Sequence, residues 1–128
     1  MKAVILAAGV GSRIRPLTDN TSKSLLKIGG RTILQRMIDS LLSVGIDQIA
    51  IVTGYLEDQI KKFVNKTYPE LNVTFIRNQV YDQTNTAYSL NLTKNFVGND
   101  NFIKFDADVV FEDAILQKII NNPEETCL

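Results

Sequence analysis

The sequence predicts an α/β fold in which a mostly parallel sheet has helices on both faces. Four apolar runs are typical of strands, at residues 2–7, 48–53, 72–77 and 101–111. Segments with apolar residues at helical spacing lie between them. Strands that alternate with helices form βαβ units, whose strands are parallel. The 128 residues suit one domain, covering 1–128, with a core of its own.

The first strand is predicted from "KAVILA" (2–7), which is apolar without alternation, as strands buried on both faces are. Residues 8–31 are rich in Gly, Ser, Thr, Asp and Pro and are predicted to form one long loop. Thr32 suits a helix N-cap, and Gly45 suits the end of that helix. Six positions of this helix are predicted to be core: Ile33, Leu34, Met37, Ile38, Leu41 and Leu42.

The later elements continue the alternation. "QIAIVT" (48–53) predicts a second buried strand, and the amphipathic helix after it ends before Pro69. "NVTFIR" (72–77) predicts the third strand, which is followed by a polar turn at 78–86 and a short helix through Ala87 and Leu90. The fourth strand lies within 101–111 and bends near its aspartates. A last helix covers 114–120.

Composition excludes several classes of function. Lys plus Arg and Asp plus Glu number 14 each, so no overall charge favours nucleic acid or a membrane surface as a partner. Histidine is absent, which excludes Ser-His-Asp and Cys-His catalysis and disfavours zinc. The single cysteine, Cys127, excludes an internal disulfide and suits a reducing compartment. With no apolar run long enough to span a membrane, a cytoplasmic protein is expected.

Three polar segments follow predicted strands: "AAGVGSR" (7–13), the 78–86 turn and "DAD" (106–108). Ligands of parallel α/β sheets bind beyond the carboxyl ends of the strands, so these segments are expected to converge on one site. The glycine segment could be a plain turn, but its length and the basic residues Arg13, Arg15 and Lys23 favour a phosphate site. Ile14 occupies the third position of a GxGxxG pattern, and the Walker pattern is absent, so neither standard motif applies.

The segment "LAAGVGSRIRPLTDNTSKSLLKIGGRTILQRMIDSLLSVGI" (6–46) resembles the signature of nucleotidyltransferases that activate sugar 1-phosphates and related phosphoesters. "IVTGY" (51–55), "NTAYSL" (85–90) and "DADVVF" (106–111) continue the resemblance in order. Residues 78–90 are most similar to the branch that makes CDP-choline. The resemblance implies a three-layer, Rossmann-like fold of the nucleotide-diphospho-sugar transferase type. Because the family's domain is longer, it also implies truncation at the C-terminus.

The resemblance further implies the roles of individual residues. The catalytic residues would be Arg13 and Lys23, which contact the phosphates of a nucleoside triphosphate. The remaining contacts to the nucleotide would come from Ala8, Gly9, Gly11, Ser12, Asn78 and Asn85. Asp108 would bind Mg²⁺, with Asp106 as a second candidate.

The two aspartates have a plainer interpretation as turn or cap residues, since Asp commonly ends strands and begins helices. Their position behind a buried strand, facing the glycine segment, favours a metal. The chemistry needs no histidine, because a phosphomonoester with a second pKa of about 6 is already a nucleophilic dianion at neutral pH.

The predicted activity is transfer of a nucleoside monophosphate from CTP, UTP or dTTP to a sugar 1-phosphate or phosphocholine, with release of pyrophosphate. The alternative is a catalytically incomplete nucleotide-binding or regulatory module.

Tyr81 and Tyr88 are predicted to pack in the core rather than to form a cage for choline. Lys61, Lys62 and Lys66 suit a solvated helix face. An uncovered sheet edge would favour a homodimer.

Overall fold

The computed structural model describes residues 1–9, 15–107 and 113–121. Its strands are β1 (Lys2–Ala7), β2 (Lys27–Ile28), β3 (Arg31–Thr32), β4 (Ile49–Thr53), β5 (Val73–Arg77) and β6 (Phe102–Asp106). Its α-helices are α1 (Ile33–Ser43), α2 (Glu57–Thr67), α3 (Thr86–Asn91), α4 (Lys94–Val97) and α5 (Asp113–Asn121). A 3₁₀ turn covers Lys23–Leu25.

Four strands form one parallel sheet in the order β5-β4-β1-β6. Ile5 of β1 pairs with Ile51 of β4 on one side and with Phe105 of β6 on the other. Five of the six β1 residues and all five β4 residues are buried, because these are the two central strands. The predicted parallel α/β sheet, with its apolar central strands, is therefore confirmed.

Helices cover both faces of the sheet, as predicted. Alternate residues of β1 point to opposite sides, so Ala3 and Ile5 join one core cluster and Val4 and Leu6 the other. The larger cluster receives side chains from α1, α2 and α5, and the smaller receives them from α3 and α4. No helix among the described residues is long and apolar enough to cross a membrane.

Helix α1 begins as its sequence predicts. The Thr32 side chain accepts a hydrogen bond from the Gln35 backbone N–H at 3.0 Å, which satisfies one of the unpaired donors of the first turn. Gly45 follows the helix with φ of +84°, a conformation that suits glycine. The prediction of Leu42 as core is wrong. Leu42 is 37% exposed, because it lies at the border of the apolar stripe in the last turn of α1.

The prediction of one unbroken loop over 8–31 is wrong in its second half. Strands β2 and β3 form a short antiparallel hairpin, and the intervening Gly29 and Gly30 have φ of +61° and +85°. Two consecutive positive φ angles make the type I′ turn that matches the twist of a hairpin. The Arg36 guanidinium on α1 donates to the Ile28 carbonyl and fastens the hairpin to the helix.

Candidate functional site

A cleft of about 360 Å³ opens at the carboxyl edge of the sheet. Its wall is formed by residues that follow β1, residues around the 3₁₀ turn, the start of α3 and the end of β6: Leu6, Ala7, Ala8, Gly9, Ser22, Lys23, Ser24, Tyr81, Thr84, Asn85, Thr86, Ser89, Asp106 and Ala107. After β1 the chain builds the sheet outward through β4 and β5, and β6 then pairs on the opposite side of β1. The cleft therefore lies at the point where strand order reverses, the usual ligand position of open α/β sheets.

The residues directly after β1 form one wall of this cleft. Ala8 is buried, and its carbonyl accepts a hydrogen bond from the Tyr55 backbone N–H at 3.4 Å. A Cβ built on Gly9 would meet no atom of the described residues within 4 Å, so this part of the chain leaves room for a ligand close to the backbone. The predicted contacts Gly11, Ser12 and Arg13 lie outside the described residues.

Lys23 also lines the cleft, at the first position of the 3₁₀ turn. It stands between two buried serines, Ser22 and Ser24, whose hydroxyl oxygens are 3.1 Å apart. The turn closes through a hydrogen bond from the Leu25 N–H to the Ser22 carbonyl at 2.9 Å. The fold thus brings the predicted residues Ala8, Gly9 and Lys23 to one cleft.

Asn78 lies at the end of β5 with only 1% of its surface exposed. Its Nδ2 atom donates to the Thr84 hydroxyl at 2.9 Å and to the Ser89 hydroxyl at 3.1 Å. Its Oδ1 atom accepts from the Val80 N–H at 3.0 Å. Asn78 is not among the described residues that line the cleft, and its side chain instead holds the 78–86 turn against α3.

Asn85 does line the cleft and is also the N-cap of α3. Its Oδ1 atom accepts a hydrogen bond from the Tyr88 N–H at 3.1 Å. Asn85 and the first helical residue, Thr86, both line the cleft.

Asp106 is the last residue of β6, and its carboxylate lines the cleft with 45% of the side chain exposed. Both of its oxygens lie 3.4 Å from the Lys104 ammonium. The Ala107 N–H donates to the Leu6 carbonyl at 3.0 Å. This hydrogen bond continues the pairing of β6 with β1 as far as the cleft, which both residues line. The other predicted metal ligand, Asp108, lies outside the described residues, as does Cys127.

The two tyrosines that were predicted to be core differ. Tyr81 is partly buried against the smaller core cluster, as core packing predicts, and it also lines the cleft. Tyr88 is 42% exposed, so the prediction is wrong for this residue. In the short helix α3, Ser89 and Leu90 occupy the positions that face the sheet, which leaves Tyr88 towards solvent.

The sequence motif "IVTGY" (51–55) was part of the resemblance, but sequence reasoning assigned no role to the connection between β4 and α2. A Cβ on Gly54 would lie 2.7 Å from the Tyr81 Cβ, so only glycine leaves room for Tyr81 on this wall. The Tyr55 ring lies 6.3 Å from the Tyr81 ring, tilted by 55°. Leu56 adopts φ of +54°, the left-handed conformation that is rare for a bulky residue. The sequence motif "TGYL" (53–56) was the available signal, since glycine beside an aromatic residue often marks close approach of the backbone.

Charge in the described part of the cleft comes from one cation and one anion, Lys23 and Asp106. Backbone groups at Ala8 and Gly9 and the polar residues at the start of α3 supply the remaining polar surface. Such a cleft can hold a phosphorylated ligand, with the ammonium as a counter-charge for phosphate oxygens.

The model of the nucleotidyl transferase family matches residues 2–126, almost the whole chain. The chain belongs to the nucleotidyl transferase family. This confirms the resemblance drawn from the motifs between Leu6 and Phe111. The predicted Rossmann-like fold is confirmed as well, because solved nucleotidyltransferase structures superpose on this chain.

Two curated relatives and one solved structure illustrate the similarity. The CTP:phosphoglutamine cytidylyltransferase of Campylobacter jejuni is 37% identical, over 100% of this chain and 51% of its own length. The choline-phosphate cytidylyltransferase of Haemophilus influenzae is 44% identical, over 86% of this chain and 45% of its own. The structure of CTP:phosphocholine cytidylyltransferase from Streptococcus pneumoniae superposes with a TM-score of 0.74 at 38% identity, covering 88% of this chain and 47% of that one. The chain spans about half the length of the curated relatives it matches.

Proposed function

We propose that the protein transfers a cytidine monophosphate unit from CTP to a small phosphorylated acceptor of the phosphocholine type, releasing pyrophosphate. The observation that carries the proposal is the cleft at the strand-order reversal, which both Lys23 and the Ala8–Gly9 segment line. The choice of CTP rests on the relatives at 37% to 44% identity, whose names specify cytidylyl transfer to phosphorylated molecules.

In the proposed reaction, a phosphate oxygen of the acceptor attacks the α-phosphorus of CTP. A new P–O bond forms as the bond between the α-phosphorus and the bridging oxygen breaks, and pyrophosphate leaves with that electron pair. No general base is needed, because the acceptor phosphate is mostly a dianion at neutral pH. The task of the protein is therefore to align the two phosphates and offset negative charge.

The residues of the cleft divide this task. The Lys23 ammonium offsets charge on the phosphates near the reacting centre, and the backbone N–H groups around Ala8 and Gly9 contact phosphate oxygens. On the family resemblance, Arg13 adds a bidentate contact, and Gly11 and Ser12 extend the backbone cradle. Asn85 is the candidate for a contact to the base or ribose. Asn78 supports this part of the cleft through the Thr84 and Ser89 hydroxyls.

The described residues fit a Mg²⁺ ion in the chemistry of their donors. Mg²⁺ takes one or two protein carboxylates and completes its shell with phosphate oxygens and water. Asp106 presents a half-exposed carboxylate to the cleft, and Asp108 is the proposed direct ligand two residues further on. The ion would supply positive charge against the triphosphate. Among the described residues no cluster of three or more His, Cys, Asp or Glu side chains is present.

The test is pyrophosphate release by the complete protein that the reading frame encodes. Each of the four nucleoside triphosphates is paired with phosphocholine, phosphoethanolamine and glucose 1-phosphate. We expect turnover with CTP and phosphocholine. Turnover only with UTP or dTTP and the sugar phosphate would contradict the proposed substrates. Tight CTP binding without pyrophosphate release would favour a nucleotide-binding regulatory module.

Self-association is a further part of the proposal. Strand β6 pairs only with β1 among the described strands, and Phe102 at its start is 40% exposed. An open strand edge beside an exposed aromatic ring favours pairing with a second copy. Light scattering of this 128-residue chain at micromolar concentration should give the mass of a dimer. A monomer mass would refute this part.

A further inference from the structure

We propose that Gln59 is a positioning residue that holds Lys23 in the cleft. The proposal rests on the function proposed above, since it concerns how the Lys23 ammonium reaches a bound nucleotide. Gln59 lies in the first turn of α2, is half-buried and is not among the described residues that line the cleft.

Both ends of the Gln59 amide contact the segment that precedes Lys23. The Nε2 atom donates to the Asn20 carbonyl at 2.7 Å, and the Oε1 atom accepts from the Ser22 N–H at 3.0 Å. These partners are backbone atoms two residues apart, so one side chain fixes the course of the chain between them. Lys23 is the next residue and the first of the 3₁₀ turn.

Tyr55 makes a second contact from the same connection to the same segment. Its hydroxyl donates to the Thr18 carbonyl at 2.6 Å and lies 3.1 Å from the Asp19 carbonyl. The Tyr55 backbone N–H also donates to the carbonyl of Ala8, a lining residue that follows β1. The connection from β4 to α2 therefore contacts both the segment before Lys23 and the residues after β1.

The backbone of this connection has a conformation that serves these contacts. Leu56, between Tyr55 and α2, is the non-glycine residue with positive φ among the described positions. A left-handed bulky residue costs free energy, and such residues persist where the surrounding contacts compensate. Here Tyr55 precedes Leu56 and Gln59 follows it in the chain, and both side chains contact the same segment, residues 18–22.

Glutamine is suited to this role because it combines a donor and an acceptor on one rigid amide. Methionine has a similar length and helix propensity but cannot donate, and its sulfur is a weak acceptor. Gln59→Met therefore removes both contacts and preserves the helix. Asn65→Met, at an exposed position of the same helix, is the matched control.

The first experiment measures the order of the segment in the absence of nucleotide. Trypsin cleaves after Lys23 only when the buried flanking serines are released, so cleavage follows local opening. We expect Gln59→Met to accelerate cleavage after Lys23 about tenfold while cleavage after Lys66 stays as in Asn65→Met. Equal acceleration at both sites would indicate general destabilisation and overturn the proposal. Unchanged cleavage at Lys23 would also overturn it.

The second experiment is a double-mutant cycle on CTP affinity measured by calorimetry. Gln59→Met should weaken binding about five- to tenfold in the parent and have almost no effect in the Lys23→Ala background, since it acts through that lysine. Equal effects in both backgrounds would refute the positioning role. If the parent protein binds no CTP, the proposed function fails, and the proteolysis result still decides whether Gln59 orders the segment.

Discussion

At the scale of single residues, the cleft depends on a close approach between Gly54 and Tyr81. The Cβ, Cγ and Cδ1 atoms of Tyr81 lie 2.7, 2.8 and 2.9 Å from the position that a Gly54 Cβ would occupy. The obstructing atoms are at the base of the tyrosine and close to its backbone, so a rotation of the ring alone could not relieve the clash.

Gly54→Ala should therefore destabilise the protein. Displacement of Tyr81 from the smaller core cluster is an overpacking effect, for which we expect a loss of about 1–3 kcal/mol in the free energy of unfolding. Urea denaturation measures it. Gly9→Ala is the control, since a Cβ there meets no atom within 4 Å in the part of the chain that the structure describes. Equal stability of the two variants would show that Tyr81 moves without cost.

Lys2 is a second residue that joins distant parts of the chain. Its ammonium lies 2.8 Å from an Asp100 carboxylate oxygen, donates to the Phe96 carbonyl at 2.6 Å and lies 5.2 Å from the centre of the Phe96 ring. The hydrogen bond from Lys2, aided by its charge, lowers the pKa of Asp100 below the usual 3.8. A carboxylate with a lowered folded-state pKa stabilises the fold above its unfolded pKa. That contribution is lost as pH falls through the folded value.

Lys2→Met should raise the pKa of Asp100 towards its usual value. It should also remove the part of the stability that disappears below about pH 4. A carboxyl-detected NMR titration of Asp100 in the two proteins measures the pKa directly. An unchanged Asp100 titration in the Lys2→Met protein would mean that the contact is not populated in solution.

At the scale of elements, Asn85 has two separable roles in α3. Its Oδ1 atom caps the helix, and Nδ2 is the amide atom that the cap does not use. Serine caps a helix as well as asparagine does but lacks the amide donor, whereas alanine has neither group.

Asn85→Ser should therefore keep the stability of the parent and weaken CTP binding about two- to tenfold, the effect of one neutral hydrogen bond. Asn85→Ala should in addition lose about 1 kcal/mol of stability. Thermal unfolding and calorimetry on both variants separate the two roles. If Asn85→Ser bound CTP as tightly as the parent, Asn85 would cap α3 but would not contact the nucleotide.

The elements also differ in how far sequence reasoning could predict them. Strands β1 and β4 were predictable because a buried strand is a continuous apolar run in the sequence. Helix α1 was predictable because its apolar residues recur at helical spacing after the Thr32 cap. The β2–β3 hairpin was missed because strands of two residues show no alternation, although Gly29-Gly30 was a turn signal. Gln59 was missed for a different reason. Its partners lie 37 and 39 residues away, and nothing in the local sequence indicates them.

At the scale of the whole molecule, the strand order explains why the site lies where it does. The chain extends the sheet from β1 through β4 to β5 and then places β6 on the other side of β1, so the cleft lies where the strand order reverses. The alternation of strands and helices predicted this edge of the sheet. The sequence motifs then identified Ala8, Gly9, Lys23, Asn85 and Asp106, which the structure places around that cleft.

The most direct test of the central claim, that this cleft binds a nucleoside triphosphate through Lys23, is a calorimetric titration of CTP into the parent chain, Lys23→Ala and Lys62→Ala. Lys62 is the matched control, an exposed lysine on α2 outside the described lining of the cleft. A lost charge-assisted contact should weaken binding at least about tenfold in Lys23→Ala, with parent affinity retained in Lys62→Ala. Equal CTP affinity in Lys23→Ala and the parent would contradict the claim.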